Sequence, residues 1–151
     1  MTMAAETVFI DTNILIYATD DESPFNAKSL GIIKQLMADG VDFAISPQIV
    51  REYLVVLTRG LQPDDPARSS ALHNVKKFIE TFTLLDENSK SVARLQTIME
   101  KCAVGGKQIH DANIVAVMQA HGVKRLLTDN LDDFKKFDKW IEILGLDEVL
   151  L

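Results

Sequence analysis

The feature that most restricts this chain is an alternation: short apolar runs of strand length are separated by longer segments with helical periodicity. The strand candidates are Thr7 to Ile10, Asp42 to Ile45, Thr83 to Leu85, Arg125 to Thr128 and Ile141 to Leu144. Between them, Ser23 and Pro24 read as the cap and first turn of a helix that Gly40 closes, and Ser46 and Pro47 repeat the device. A third helix is expected over roughly Arg68 to Phe82, with Leu72, Val75, Phe78, Ile79 and Phe82 on one face. A fourth runs from about Ser89 to Ala103, and a fifth begins near His110 and is closed by Gly122. Strands separated by helices need crossover connections, which join parallel neighbours. The expected fold is therefore α/β, a three-layer α/β/α sandwich around a central, mostly parallel sheet. With 151 residues and no repeat, low-complexity tract or Gly/Ser-rich linker, the chain reads as one domain over 1–151.

Composition narrows the class. A 47% hydrophobic, 25% charged chain is ordinary for a soluble protein, and no apolar run approaches the roughly 18 residues of a membrane span. Met1 to Glu6 lack a basic region followed by an apolar stretch, and Cys102 is the only cysteine, so a cytoplasmic, reducing location is expected. Acids outnumber bases 22 to 16. That balance opposes non-specific nucleic-acid binding, which is normally driven by basic charge. A chain of this kind that handles phosphates needs another source of positive charge, and bound divalent cations supply one.

Four acids stand where acids are unusual. Asp11 directly follows the strand TVFI, at the carboxyl edge where open α/β sheets bind ligands, and Asp129 follows RLLT in the same way. Each read alone is equally a turn residue. In the helix after Pro47, Ile49, Glu52 and Val56 fall at i, i+3 and i+7, which sets Glu52 within the apolar stripe of Ile49, Tyr53, Val56 and Leu57. A carboxylate so placed either snorkels to water or needs a cation, a proton or a base such as Arg51 or Arg59. Asp111 precedes Ile114, Val115 and Met118 by three, four and seven residues, on the buried side of the fifth helix. It is also well placed to favour the helix dipole. Taken jointly, two strand-end Asp residues and two inward helical carboxylates form a pocket that repels itself unless hard cations such as Mg²⁺ or Mn²⁺ bind.

Other polar features carry less. His73, His110 and His121 lack zinc-site spacing, and Gly105-Gly106-Lys107 lacks the remaining residues of a phosphate loop. Lys107, just before the Asp111 helix, is either a solvated surface lysine or a contact for a substrate phosphate.

Asp11-Thr12-Asn13 after the first strand, ISPQIVRE ending at Glu52, and HDANIVAVMQAHGVKRLLTDNLDDF over 110–134 together resemble the PIN domain, and within it the VapC-type toxins of toxin–antitoxin pairs. The resemblance implies a PIN-like α/β/α fold, ribonuclease activity on single-stranded or structured RNA, and dependence on Mg²⁺ or Mn²⁺. It also implies a small antitoxin that covers the site, and the acidic balance suggests that it inserts a basic side chain there; a homodimer is expected, and no membrane attachment. It carries metal-binding and catalytic roles onto Asp11, Glu52 and Asp111, with Thr12, Asn13 and Thr128 in support. The family's fourth acid usually stands two places after the Thr, where this chain has Asn130, so the fourth ligand lies among Asp129, Asn130 and Asp133. If NLDDF makes a helical turn, Asp133 returns to the side that Asn130 faces and Asp129 faces away.

The expected mechanism has Asp11 and Asp111 holding an ion directly and Glu52 binding a second ion or orienting the attacking water. The products then carry 5′-phosphate and 3′-hydroxyl ends. Two rivals stand beside a toxin nuclease: a phosphoacceptor signalling domain, whose paired early acids and late lysine are missing here, and a non-catalytic PIN-like scaffold, suggested by Asn130. A housekeeping PIN nuclease without an antitoxin is a further variant of the main reading.

Overall fold

The computed structural model describes residues 7–147. The leader reading of Met1 to Glu6 falls outside them. In chain order the elements are β1 (Thr7–Ile10), α1 (Thr12–Ala18), α2 (Asn26–Ala38), β2 (Asp42–Ile45), α3 (Pro47–Thr58), α4 (Pro66–Thr81) and β3 (Thr83–Leu84). There follow α5 (Ser89–Lys101), α6 (Gln108–Ala120), β4 (Arg125–Leu127), α7 (Leu131–Phe134), a 3-10 turn at Lys135–Phe137 and β5 (Glu142–Leu144).

The five strands form one sheet in the order β3-β2-β1-β4-β5, and every adjacent pair is parallel. The three central strands are buried nearly end to end, with Val8 to Ile10, Phe43 to Ile45, Leu126 and Leu127 at or near zero exposure, whereas of the edge strands β3 is exposed and β5 only partly buried. Continuous apolar runs of this kind suit parallel strands covered on both faces. The chain moves from β1 to β3 in one direction, then returns past β1 to β4 and β5. Right-handed crossovers in opposite directions place α1 to α4 on one face and α5 and α6 on the other. The helix contacts agree, since α1 packs on α2 and α3, α3 on α4, and α5 on α6. α6 is apolar nearly all round, with Ala112 and Ile114 to Met118 buried, as a helix between α5 and the sheet must be.

Two helix ends match the glycine signals. Gly40 at φ +89° and Gly122 at φ +71° take the left-handed conformation that glycine tolerates best. Val41 and Val123 then donate back to the carbonyls of Leu36 and Met118 at 2.9 Å, closing α2 and α6.

Other expectations are corrected. Ser23 and Pro24 lie in a turn before α2 rather than at its start: Ser23 Oγ accepts from the Phe25 amide at 3.1 Å, and the helix begins at Asn26. α1 was not expected, because TNILIYA is apolar and rich in β-branched residues and reads as a continuation of β1. Asp11 starts it instead, its carboxylate accepting from the Thr12 amide at 2.8 Å. On α4 the buried face is Ala71, Val75 and Phe78, while Leu72 and Ile79 are about half exposed, so the stripe is turned from the one expected. Val56 on α3 is likewise exposed, leaving Ile49 and Tyr53 to pack. Ser46 precedes α3, but its hydroxyl makes no cap bond and is buried without a partner. No helix among the described residues is long and apolar enough to cross a membrane.

Candidate active site

The sheet changes direction between β1 and β4, and in open α/β sheets the crevice beyond the carboxyl ends of two such strands is the usual ligand site. Ile10 pairs with Leu127. The ladder runs one step further, through a bond from the Asp11 amide to the Leu127 carbonyl at 3.0 Å. Asp11 and Thr128 are thereby neighbours at the mouth of the crevice, where Thr128 Oγ1 donates to Asp11 Oδ2 at 2.7 Å.

Asp11 is only 5% exposed. Besides Thr128, the Thr12 amide and Asn13 Nδ2 donate to it, the latter at 3.3 Å. Burial still dominates, and with the negative charge of Glu52 it pushes the Asp11 carboxyl up to about 6, against the pull of these three donors.

Glu52 comes from α3. Thr12 Oγ1 donates to its Oε1 at 2.7 Å, and Gln48 Nε2 donates to its Oε2 at 2.9 Å. The carboxylate does face the protein, but its compensation is two neutral donors. Arg51 instead sits 3.9 Å from Glu87.

Asp111 lies in the first turn of α6, on the opposite face of the sheet from α3. Its carboxyl is pushed up to about 6, first by burial and then by the charges of Asp11, Asp133 and Glu52, with Lys136 opposing. Among the described residues its side chain has no hydrogen-bond or ion-pair partner. Four acids from β1, α3, α6 and α7 therefore share one field.

The segment NLDDF does make a helical turn, α7, with Asp133 near its end. Asp129 is engaged elsewhere: Tyr17 Oη donates to its Oδ2 at 3.0 Å, and its amide donates to Asn13 Oδ1 at 3.1 Å. The Asn130 amide donates to Thr128 Oγ1 at 3.0 Å. Asn130 lines both the main cleft and a smaller adjoining one, whereas Asp129 and Asp133 line only the adjoining one.

The main cleft has a volume of about 710 Å³. Asp11, Glu52 and Asp111 lie inside it, Arg51, Arg59 and Lys107 contribute positive charge, and Ile16, Val55 and Val56 form an apolar wall. An acidic chain thus gathers bases locally around its acids, which net charge alone conceals.

Among the described residues no three acid, imidazole or thiol groups converge tightly enough to form a ready metal cluster. The donor set nevertheless fits a hard divalent cation. Its atoms are carboxylate oxygens, and among the described residues none of Asp11, Glu52 and Asp111 is in an ion pair.

One residue of this site was not foreseen. Gln48, 3% exposed, donates from Nε2 to Glu52 and also to the His110 carbonyl at 2.9 Å, while its Oε1 accepts from Asn113 at 2.7 Å. The only sequence signal was its position four residues before Glu52 on one helix.

The PIN domain model matches residues 8–139. A relative, Ribonuclease VapC48 of Mycobacterium tuberculosis, is 25% identical over 132 residues, covering 85% of this chain and 90% of that protein. The DNA-bound VapBC of Salmonella typhimurium has a similar structure, with TM-score 0.70 and 19% identity over 93% of this chain and 98% of that one. A toxin–antitoxin complex from Klebsiella pneumoniae gives TM-score 0.65 and 20% identity over 94% and 99%.

Proposed function

The chain belongs to the PIN-domain family, and from that membership we propose that it is a metal-dependent endoribonuclease that cuts single-stranded RNA as the toxin of a toxin–antitoxin pair. The observation that carries the reading is the shared field at Asp111, where burial and three further carboxylates, Asp11, Asp133 and Glu52, oppose ionisation. A folded protein keeps such a group of like charges in a cleft when something positive is to be bound there.

Asp11, Glu52 and Asp111 would hold Mg²⁺ or Mn²⁺, with Asp133 as the fourth acid and Asn130 as a neutral oxygen donor. The bound ion would acidify the attacking water and offset charge on the scissile phosphate. The protein's own groups set the frame. Thr12, Asn13 and Thr128 fix the carboxylate of Asp11, and Thr12 also fixes that of Glu52. Arg51, Arg59 and Lys107 line the same cleft and would take phosphates of the bound strand. No side-chain nucleophile is required.

The toxin assignment draws on the similarity to Ribonuclease VapC48 and to the VapBC and toxin–antitoxin complexes. A small antitoxin that places a basic side chain among the acids suits the same field, and a homodimer is expected.

The test is cleavage of labelled single-stranded RNA with Mn²⁺ and with EDTA, by the wild type and by Asp11→Asn. The expected result is metal-dependent cleavage with 5′-phosphate products, reduced at least about a hundredfold in the variant. Undiminished cleavage by Asp11→Asn, or none by the wild type, would overturn the nuclease reading, the latter in favour of a non-catalytic scaffold. Growth arrest on expression, relieved by the product of an adjacent small gene, separates a toxin from a housekeeping nuclease.

A further inference from the structure

The geometry points to Gln48 as a positioning residue that locks the carboxylate of Glu52 to the first turn of α6, so that two acids from opposite faces of the sheet stay in register for one divalent cation. This rests on the metal-dependent reading above.

Gln48 is buried in the second position of α3, and both ends of its carboxamide are used. A glutamine amide offers two donors and one accepting oxygen. Here one nitrogen serves Glu52 Oε2 and the His110 carbonyl, both at 2.9 Å, and the oxygen takes the Asn113 amide at 2.7 Å. That last bond fixes which way the amide faces, because reversing it would set nitrogen against nitrogen. Asn113 is anchored in turn by Glu87 Oε1 at 2.9 Å.

The partners on α6 flank Asp111 in sequence, His110 on one side and Asn113 two residues on. α3 and α6 are not neighbours in the sheet order, and they lie on opposite faces. Their relative placement at the carboxyl edge is therefore set by contacts beyond the strand ends, and Gln48 makes two of these while also holding Glu52. Among the described residues the carboxylate of Asp111 has no hydrogen-bond partner, so its position depends on where that first turn is held. Loss of the amide would leave Glu52 with Thr12 alone and remove a tie on the Asp111 turn. Groups that orient metal ligands commonly alter affinity about 10–100-fold when removed.

Gln48→Met keeps the volume and removes the polar ends, and Asn113→Ala frees the amide from the other side. Binding of Mn²⁺ alone is measured by titration calorimetry on wild type, Gln48→Met, Glu52→Gln and the double variant. Melting in EDTA and circular dichroism serve as checks on folding. The expected result is Mn²⁺ binding at least about tenfold weaker in Gln48→Met, a smaller loss in the same direction in Asn113→Ala, and a smaller further loss when Gln48→Met is added to Glu52→Gln than when it is made in the wild type. RNA cleavage should show a raised Mn²⁺ requirement with a plateau reduced less. If Gln48→Met fails to fold, the same comparison is made with Asn113→Ala and decides the matter. Wild-type binding with unchanged affinity in the variants would overturn the role of Gln48 and leave the metal reading intact, as would an equal loss in the Glu52→Gln background. Absence of Mn²⁺ binding by the wild type would overturn the metal reading, and the role of Gln48 with it.

Discussion

Thr12 and Glu52 are joined by a hydrogen bond of 2.7 Å from the threonine hydroxyl to the carboxylate, across 40 positions of sequence. The same threonine's amide donates to Asp11. One residue thus touches two acids of the site, one through its backbone and one through its side chain. Removing the hydroxyl while keeping the branched shape isolates the second contact. Thr12→Val is expected to lower stability by about 1.5–3 kcal/mol, the range for a bond to a charged group, and to raise the Mn²⁺ concentration needed for cleavage. Thr12→Ser is expected to restore both. Denaturant melts and an Mn²⁺ titration of RNA cleavage check this, and a valine variant with wild-type metal dependence would show that Glu52 needs no support from α1.

Asp111 carries a pH signature. Its native carboxyl titrates near 6 against an ordinary value of 3.8. Between those values the unfolded chain releases a proton that the native protein keeps, so stability falls as pH rises through that window and levels off above it. Screening at a partly exposed position limits the effect to about 1–2 kcal/mol. In EDTA, Asp111→Asn should therefore be the more stable protein at pH 7 to 8, with the advantage vanishing towards pH 4. Mn²⁺ should raise its melting temperature less than that of the wild type. Thermal melts across pH decide the point; a variant less stable than the wild type at pH 8 would mean that Asp111 serves the fold.

Asp133 and Asp129 are expected to differ. Asp133 adds to the field at Asp111, whereas Asp129 accepts from Tyr17. Asp133→Asn is accordingly expected to impair Mn²⁺-dependent cleavage more than Asp129→Asn, whose main effect should be a modest loss of stability. Both variants, compared over an Mn²⁺ titration, test the assignment directly. A larger catalytic loss in the Asp129 variant would reverse it.

Arg59 and Lys107 should act on binding alone. Each lines the cleft, and among the described residues neither is in an ion pair. Replacing either by Ala should raise KM for RNA with little change in kcat, and should reduce the salt dependence of log KM by a slope of about 0.7. Kinetics at several salt concentrations provide the check, and an unchanged slope would place that residue off the RNA path.

All five strand candidates lie within a residue of the observed strands. β1, β2 and β4 were legible because parallel strands buried on both faces must be largely apolar, and the less buried edge strands β3 and β5 because short apolar runs stand between helical segments. α1 was not legible. Its residues are as apolar as a strand, and only the Asp11 cap, a local bond visible in three dimensions, turns them into a helix. The stripe on α4 was misjudged for a related reason. Periodicity gives a helix an apolar side, but Leu72 and Ile79 are exposed because the packing of α4 on α3 selects which part of that side is covered.

The sequence by itself determined which residue types stand at strand ends and helix starts, because alternation, caps and glycine stops act over a few residues. It thereby marked Asp11, Glu52 and Asp111 as acids out of place. Only the tertiary structure decided which of them share a field, that Asp133 joins them while Asp129 turns to Tyr17, and that Gln48 bridges α3 to α6. The physical reason is range. Carboxylate repulsion and hydrogen bonding depend on distances of a few ångströms, and the return of the chain past β1 to β4 brings Thr128 against Asp11 from 117 positions away.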